Sequence, residues 1–229
     1  EGAVHMPLES NKALRDIVNM VVEEIRKRKP DLDIDLKDTA RGGAQISAHF
    51  ESEMEVLINS DNVNELTKAK KGLGTKSPFD IEFYFKEGKI WVDFKTWKQK
   101  ANGDWPNSNP DMGTYKKIKK LTEKGVSHFL FVHLFYKKND NGRVSLIDTP
   151  THCPHPVFFI QEIPERFNVS SNNQMHYSNR ILNTVLIGRT WDDFLALLKP
   201  KLKGAFEEDK RKAQEKLDTL DSFIDDLTE

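Results

Sequence analysis

The chain has 229 residues, and its 35 basic and 36 acidic side chains give a formal net charge of −1. A chain of this length can bury a sizeable core, so we expect a single α/β domain over residues 1–229. The charge balance excludes a uniformly basic nucleic-acid binder, and any DNA-facing surface must be a local patch. The single cysteine, Cys153, excludes an intrachain disulfide and favours a reducing compartment, the cytoplasm.

The N-terminal third predicts one helix and one glycine-rich loop. We expect residues 1–5 to be a cloning remnant before a native start at Met6, with no secretory signal and no membrane span. Apolar residues at helical spacing predict a helix over Ser10–Lys29, capped by Ser10 and stopped by Pro30. Beyond it, Arg41 precedes two glycines that allow a close approach to another surface. A phosphate contact by Arg41 and a plain loop are both consistent with this pattern.

Two apolar runs around a short turn predict a β-hairpin. Ile81–Phe85 and Ile90–Phe94 have strand character, and Gly88 between them can take the positive φ of a tight turn. Because side chains alternate along a strand, Asp93 and Lys95 should project to the same face. Asp80 lies at the start of the first strand. Two carboxylates and one amine are therefore expected to converge at this end of the hairpin.

This set of groups suits metal-assisted hydrolysis of a phosphodiester. Carboxylates are hard oxygen ligands for Mg²⁺, which stabilises the charge that develops as the ester opens. A lysine beside them can hold the attacking water or the phosphate, or act as a base. The alternative interpretation is an edge hairpin whose charges are merely solvated.

The stretch Pro78-Phe79-Asp80 followed by Asp93-Phe94-Lys95 resembles the PD-(D/E)xK signature, which occurs in many type II restriction endonucleases and in some repair nucleases. The resemblance implies that Asp80 and Asp93 bind Mg²⁺ and that Lys95 is the active-site lysine. It also implies a restriction-endonuclease-like α/β fold, with a mixed central β-sheet flanked by helices and a C-terminal helical segment.

The segment Gln45–Asn59 fits both a helical stripe and strand alternation, and we favour the helix. In the family that the signature resembles, a helix before the hairpin often adds an acidic residue to the metal site. The resemblance therefore implies Glu51 as a further catalytic residue, with Glu55 as the second choice. A solvated acidic face is the alternative for both glutamates.

The remaining elements follow from periodicity and turn residues. The predicted helices and strands are a helix over Thr114–Lys124, strands over Val126–Tyr136, Arg143–Ile147 and Val157–Ile163, and helices over Trp191–Leu198 and Ala205–Leu227. The last helix has apolar residues in steps of three and four, a seam that can dock on its own chain or on a second copy.

Basic and amide side chains define the expected DNA contacts. Lys68–Lys76 is interpreted as a flexible basic loop that either guides phosphates or is merely solvated, and the lysine-rich face of the helix over Thr114–Lys124 either contacts the DNA backbone or is an ordinary solvated face. Amides after the hairpin and in Asn168–Arg180 suit base contacts, although Trp97 and Trp105 could instead pin their loop to the core and Asn168–Arg180 is equally consistent with a surface loop. The residues that we expect to contact DNA are Arg41, Lys76, Lys98, Gln99, Lys116, Lys117, Lys120, Asn172, Asn173 and Gln174.

Together with these patterns, the resemblance implies a Mg²⁺-dependent endonuclease for double-stranded DNA, a type II restriction endonuclease that acts as a homodimer. A repair, junction-resolving or phage-defence nuclease of the same fold is one alternative. A non-catalytic DNA-binding or protein-binding module is the other. Discrete plasmid fragments, cleavage of branched DNA, and absence of metal binding distinguish the three.

Overall fold

The computed structural model describes residues 8–34, 42–60, 63, 65–74, 77–106, 109–140, 143–151, 153–163, 167–169, 174–177 and 186–228. Within them the helices are α1 (Leu8–Arg28), α2 (Gly42–Asn59), α3 (Tyr115–Glu123) and α4 (Trp191–Thr228). The strands are β1 (Asp31–Leu32), β2 (Leu66–Lys71), β3 (Ile81–Phe85), β4 (Gly88–Lys98), β5 (Asp111–Thr114), β6 (Val126–Lys138), β7 (Val144–Leu146), β8 (Val157–Phe159), β9 (Asn168–Val169) and β10 (Gln174–His176). Four of the expected DNA contacts lie outside the described residues: Arg41, Lys76, Asn172 and Asn173.

The main sheet is mixed and has the long strands β4 and β6 at its centre. Its spatial order is β1-β7-β6-β4-β3-β2, and β8 also pairs with β6. Strand β6 runs parallel to β4 and antiparallel to β7 and β8. Every residue from Val126 to Tyr136 is buried, which confirms the prediction of a central strand.

The two faces of this sheet are covered by different elements because its side chains alternate. On one face, Ile90, Val92 and Phe94 of β4 join a core with α1 and α2. On the other face, Trp91 and Trp97 join a second core with α3, the start of α4 and a small sheet of β5, β10 and β9. The prediction of a mixed sheet flanked by helices is confirmed.

Helix α2 confirms the helical interpretation of Gln45–Asn59. Ile46, Phe50 and Met54 recur every four residues and are buried against the sheet. A Cβ on Gly43 would clash with Oγ1 of Thr96, so the glycine lets α2 approach β4 beside the predicted active-site lysine. The predicted Ser10 cap of α1 is wrong, because the helix already includes Leu8 and Ser10 lies in its first turn.

The predicted hairpin is present, but its turn differs from the expectation. Phe85 pairs with Gly88, so only Lys86 and Glu87 connect the strands. Lys86 has φ 55°, whereas Gly88 is not among the residues with positive φ. The turn therefore takes its left-handed residue at the first central position, as type II′ turns do, and Gly88 begins β4.

Two segments expected to be loops contain strands. Residues 66–71 form the edge strand β2, which pairs with β3, so the interpretation of Lys68–Lys76 as a flexible loop is wrong for this part. Lysines on an edge strand discourage pairing with another chain. A lysine-rich edge strand therefore has a sequence similar to that of a solvent-exposed loop. The segment Asn168–Arg180, for which a surface loop was the alternative to base contacts, contributes β9 and β10 to the small sheet.

Helix α4 is continuous where two helices were predicted. Thr190 precedes it, and its hydroxyl accepts a hydrogen bond of 3.1 Å from the N–H of Asp193, so Thr190 caps the helix. The helix passes through Pro200 and reaches Thr228. Every described residue from Lys210 to Asp221 is exposed, so this part of the seam does not dock on its own chain. Among the described residues, no helix is both long and apolar enough to cross a membrane.

Candidate active site

Asp80 is held at the mouth of the hairpin by the neighbouring strand. The N–H of Asp80 donates to the carbonyl of Val92 at 2.9 Å. The N–H of Phe94 donates to Oδ2 of Asp80 at 2.6 Å. These two bonds fix the backbone and the carboxylate of Asp80 against the part of β4 that contains Asp93 and Lys95. The hairpin therefore brings the three predicted site residues together.

Asp93 lies between two ammonium groups. Nζ of Lys95 is 2.6 Å from its Oδ1 atom, and Nζ of Lys117 is 2.6 Å from its Oδ2 atom. The exposed fractions of the three side chains are small, at 12% for Asp93, 18% for Lys95 and 14% for Lys117. Lys117 was expected on the DNA-facing surface of its helix, whereas in the structure its ammonium group contacts Asp93.

The two aspartates have opposite protonation tendencies. Burial raises the pKa of Asp80 to about 6, the charge of Asp93 adds to the rise, and the Phe94 N–H opposes it. Burial also acts to raise the pKa of Asp93, but the ammonium groups of Lys95 and Lys117 outweigh it and the pKa falls below its ordinary value. Asp93 is thus the permanently charged carboxylate, and Asp80 is the one that titrates near neutral pH.

Glu51, on α2, is the carboxylate that interacts electrostatically with Asp80. Burial raises its pKa to about 7, and the charge of Asp80 adds to the rise, while Lys71 opposes it. Glu55 instead accepts a hydrogen bond of 3.3 Å from the N–H of Lys71 and lies 3.8 Å from that lysine's ammonium group. This geometry favours Glu51 over Glu55 as the third acidic group.

The carboxylates can be compared with the needs of Mg²⁺. Within the described ranges, no three Asp, Glu, His or Cys side chains converge as a complete ligand set. Mg²⁺ does not require one, because it keeps several waters and binds through one or two carboxylates together with substrate phosphates. Asp80 and Asp93 supply two such carboxylates, and their mutual repulsion, visible in the raised pKa of Asp80, favours a bound cation. The residues present therefore fit Mg²⁺.

Three residues near this site were not singled out for it by sequence reasoning. His133 of β6 pairs in register with Lys95, and its Nε2 atom is 2.7 Å from the hydroxyl of Tyr177. Burial lowers the pKa of His133 to about 3, and the charge of Lys95 lowers it further, so the ring is neutral. The role of Lys117 had one available signal, since it lies one helical turn before the buried Leu121.

The other predicted DNA contacts are dispersed. Lys116 and Lys120 are exposed on α3. Gln174 donates a hydrogen bond of 2.6 Å to Oδ2 of Asp111, inside the small sheet. Lys98 ends β4, three residues after the candidate active-site residue Lys95, and Lys98 and Gln99 border a cleft of about 850 Å³. Other residues that line this cleft are Lys100, Lys137, Lys138 and Asn139.

Both tryptophans after the hairpin pack inward. Trp97 is buried, and the ring of Trp105 is 5.3 Å from that of Phe135. The alternative in which these rings pin the loop is therefore correct. With the two rings turned inward, Lys98 and Lys100 line the cleft at the end of the strand that contains the candidate active site.

A family model matches most of the chain. The model described as SwaI-like, SwaI restriction endonuclease, matches residues 8–220. No curated protein matches the chain. The family match spans every residue of the candidate active site.

Proposed function

The chain belongs to the SwaI-like restriction endonuclease family, which makes it an endonuclease of the restriction type, and we propose that it cleaves double-stranded DNA at a specific sequence with Mg²⁺ as cofactor. The observation on which this proposal rests is the convergence of Asp80, Asp93 and Lys95 at one end of the hairpin. We further propose that residues 1–229 act as one nuclease domain in the cytoplasm.

Asp80 and Asp93 would hold the cation, with Glu51 as the nearby acidic group on α2. A bound Mg²⁺ supplies Lewis-acid stabilisation of the charge that develops on the phosphate oxygens. Asp93 remains ionised at the pH of the reaction because two ammonium groups face it. The Phe94 N–H keeps the Asp80 carboxylate directed at the same place. The protein thus positions the negative charge that the cofactor requires.

Lys95 has the position expected of a group that acts on the substrate. Its ammonium group touches Asp93 and lies 5.5 Å from the ring centre of Phe131, and these two contacts hold the ammonium group in place. An ammonium group has three donors, and the bond to Asp93 uses one of them. The others can donate to a non-bridging phosphate oxygen or to the attacking water, which Lys95 would orient for attack on phosphorus.

DNA binding follows from the family, and we propose where the duplex lies. The exposed lysines of α3 and the cleft at the end of β4 flank the candidate site and offer positive charge to the phosphate backbone. A palindromic site needs two active sites related by a two-fold axis, so we propose a homodimer. The exposed seam of α4 is the proposed contact, because Leu217 is 53% and Leu220 is 50% exposed.

The direct test is incubation of the purified full chain with methylation-free phage DNA, with and without Mg²⁺, followed by mapping of the fragment ends. We expect discrete fragments with identical ends, formed only when the cation is present. Cleavage restricted to branched or single-stranded DNA would assign the chain to junction or repair chemistry. No cleavage of any of these substrates would reject the proposal.

A further inference from the structure

We infer that Lys117 is a second lysine of the active site, which competes with the divalent cation for Asp93 and couples cation binding to the arrival of a DNA phosphate. This inference rests on the proposed function. It concerns a positioning residue, since Lys117 would act on the cation through Asp93. Its ammonium group lies 2.6 Å from Oδ2 of that carboxylate, so any cation that binds this oxygen must share it with Lys117.

Lys117 sits in a place that is shaped for its side chain. Its stem passes Gly113, where an added Cβ would lie 2.6 Å from Cδ of Lys117 and where φ is 88°. Only glycine adopts this backbone conformation without strain and leaves room for the stem. The ammonium group lies 4.4 Å from the ring centre of Phe129, a cation–π distance. A lysine that merely solvates a helix would have neither contact.

The two lysines on Asp93 come from different elements. Lys95 follows Asp93 by two residues on β4, so the strand itself keeps the pair together. Lys117 reaches Asp93 from α3, on the sheet face that this helix covers. Its bond to Asp93 can therefore be given up without moving the strand that holds the site. Lys117 is therefore the ammonium group that we assign to the incoming phosphate.

The net charge around Asp93 indicates when the ammonium group of Lys117 should leave this carboxylate. Asp93 and the two ammonium groups sum to a single positive charge, and ionised Asp80 only cancels it, so a divalent cation at Asp93 still meets repulsion from both lysines. A DNA phosphate offers Lys117 another negative partner and reduces that repulsion. Phosphate binding by Lys117 then frees Oδ2 of Asp93 for the cation. Because linkage is reciprocal, cation binding must strengthen the contact of Lys117 with phosphate by the same factor.

The test is calorimetric titration of the full chain with Ca²⁺, without DNA and then with a duplex that contains the mapped cleavage site. Lys117→Met keeps the length of the stem and removes the charge. We expect it to bind Ca²⁺ about tenfold more tightly than the wild type without DNA, since a hydrogen-bonded charge pair has been removed. Addition of the duplex should raise the Ca²⁺ affinity of this variant by a smaller factor than that of the wild type.

Lys119→Met is the matched control, because the side chain of Lys119 is 70% exposed on the same helix and its ammonium group pairs with Glu123. It should bind Ca²⁺ like the wild type. Lys117→Arg keeps the charge and should bind Ca²⁺ no more tightly than the wild type, which provides a second test if the methionine variant unfolds. Equal Ca²⁺ affinities of Lys117→Met and Lys119→Met, or tighter binding by Lys117→Arg, would overturn the inference. A wild type that cleaves DNA with Mg²⁺ while these variants behave alike would leave the proposed function intact, whereas a wild type that neither binds cations nor cleaves would reject both.

Discussion

The N–H of Phe94 donates a hydrogen bond of 2.6 Å to Oδ2 of Asp80, and this bond holds Asp80 beside the strand that contains Asp93. The register of the hairpin, in which Ile81 pairs with Val92, places Asp80 opposite this part of the strand. Two carboxylates are therefore kept close despite their repulsion. The repulsion between the two carboxylates destabilises the folded chain, and a hairpin with a purely structural role would not need to place them together.

The first prediction concerns this cost. Asp80→Asn keeps an oxygen that can accept the Phe94 N–H and removes the charge, so it should raise the free energy of unfolding without Mg²⁺ by about 1 to 2 kcal/mol. The folded-state pKa of Asp80 is about 6, above its ordinary value. The gain should therefore be full above that pH and should vanish at pH values where the unfolded aspartate is protonated.

Urea denaturation at several pH values measures this gain. Mg²⁺ should stabilise the wild type and leave Asp80→Asn nearly unchanged, which serves as the internal control. Loss of stability in Asp80→Asn at neutral pH would show that the carboxylate stabilises the fold and is not held under repulsion.

The second prediction is a dependence of cleavage on pH. Asp80, with a pKa of about 6, and Glu51, with a pKa of about 7, must lose their protons to assist cation binding. At limiting Mg²⁺, the single-turnover rate should therefore fall as the pH is lowered through this range. A higher Mg²⁺ concentration should shift the fall to lower pH, because the cation competes with protons. Glu51→Gln should remove the upper part of the profile.

A rate that does not change across this pH range would contradict the second prediction. A profile that ignores the Mg²⁺ concentration would contradict it as well, since it would report a group that does not assist the cation.

The third prediction concerns the basic face of α3. Lys116→Gln combined with Lys120→Gln should weaken binding to all DNA sequences alike and reduce the slope of log affinity against log salt by about one to two, because phosphate contacts release counterions. Fluorescence anisotropy in Ca²⁺ over a series of salt concentrations measures the slope. Lys12→Gln combined with Lys27→Gln removes two exposed lysines of α1, on the opposite face of the sheet. An equal change in this control pair would mean that the effect is one of net charge alone.

The fourth prediction concerns assembly. The seam of α4 exposes Phe206 at 41%, Leu217 at 53% and Leu220 at 50%. If this seam joins two copies, Leu217→Asp combined with Leu220→Asp should shift the protein from dimer to monomer in sedimentation velocity. Plasmid should then accumulate as nicked circles before linear product forms, because each monomer cuts one strand per encounter.

Arg211→Gln combined with Thr219→Asp lowers the net charge by the same two units on the exposed face of α4 opposite the seam and should leave the dimer intact. A wild type that sediments as a monomer with DNA bound would exclude this arrangement of two copies.

Elements that depend on local pattern were predictable from the sequence. The hairpin, α3 and β6 each combine a clear periodicity with a turn or a stop, whereas the pattern of α2 only favoured a helix over a strand; a glycine was foreseen as the means of close approach at Gly43. The convergence of Asp80, Asp93 and Lys95 follows from strand alternation and from one hairpin register. These features need only interactions between residues close in sequence.

Features that depend on distant parts of the chain were not predictable. The contact between Lys117 and Asp93 joins residues 24 apart, and it forms only because α3 packs on the sheet face to which Asp93 points. Strand β2 resembles a lysine-rich loop because an edge strand pairs on one side only. The short strands β9 and β10 exist through pairing with each other and with β5, which local propensity does not encode.

The most direct measurement of the central claim is the single-turnover cleavage rate of Asp93→Ala with Mg²⁺. The chain offers a matched control in Glu87. It precedes Lys89 by two residues, the same spacing as between Asp93 and Lys95, and both pairs belong to the same hairpin. Asp93→Ala should lower the rate by about three orders of magnitude or more, while Glu87→Ala should cleave like the wild type. Both variants should show a cooperative unfolding transition. Near-normal cleavage by folded Asp93→Ala would contradict the assignment of this hairpin as the active site.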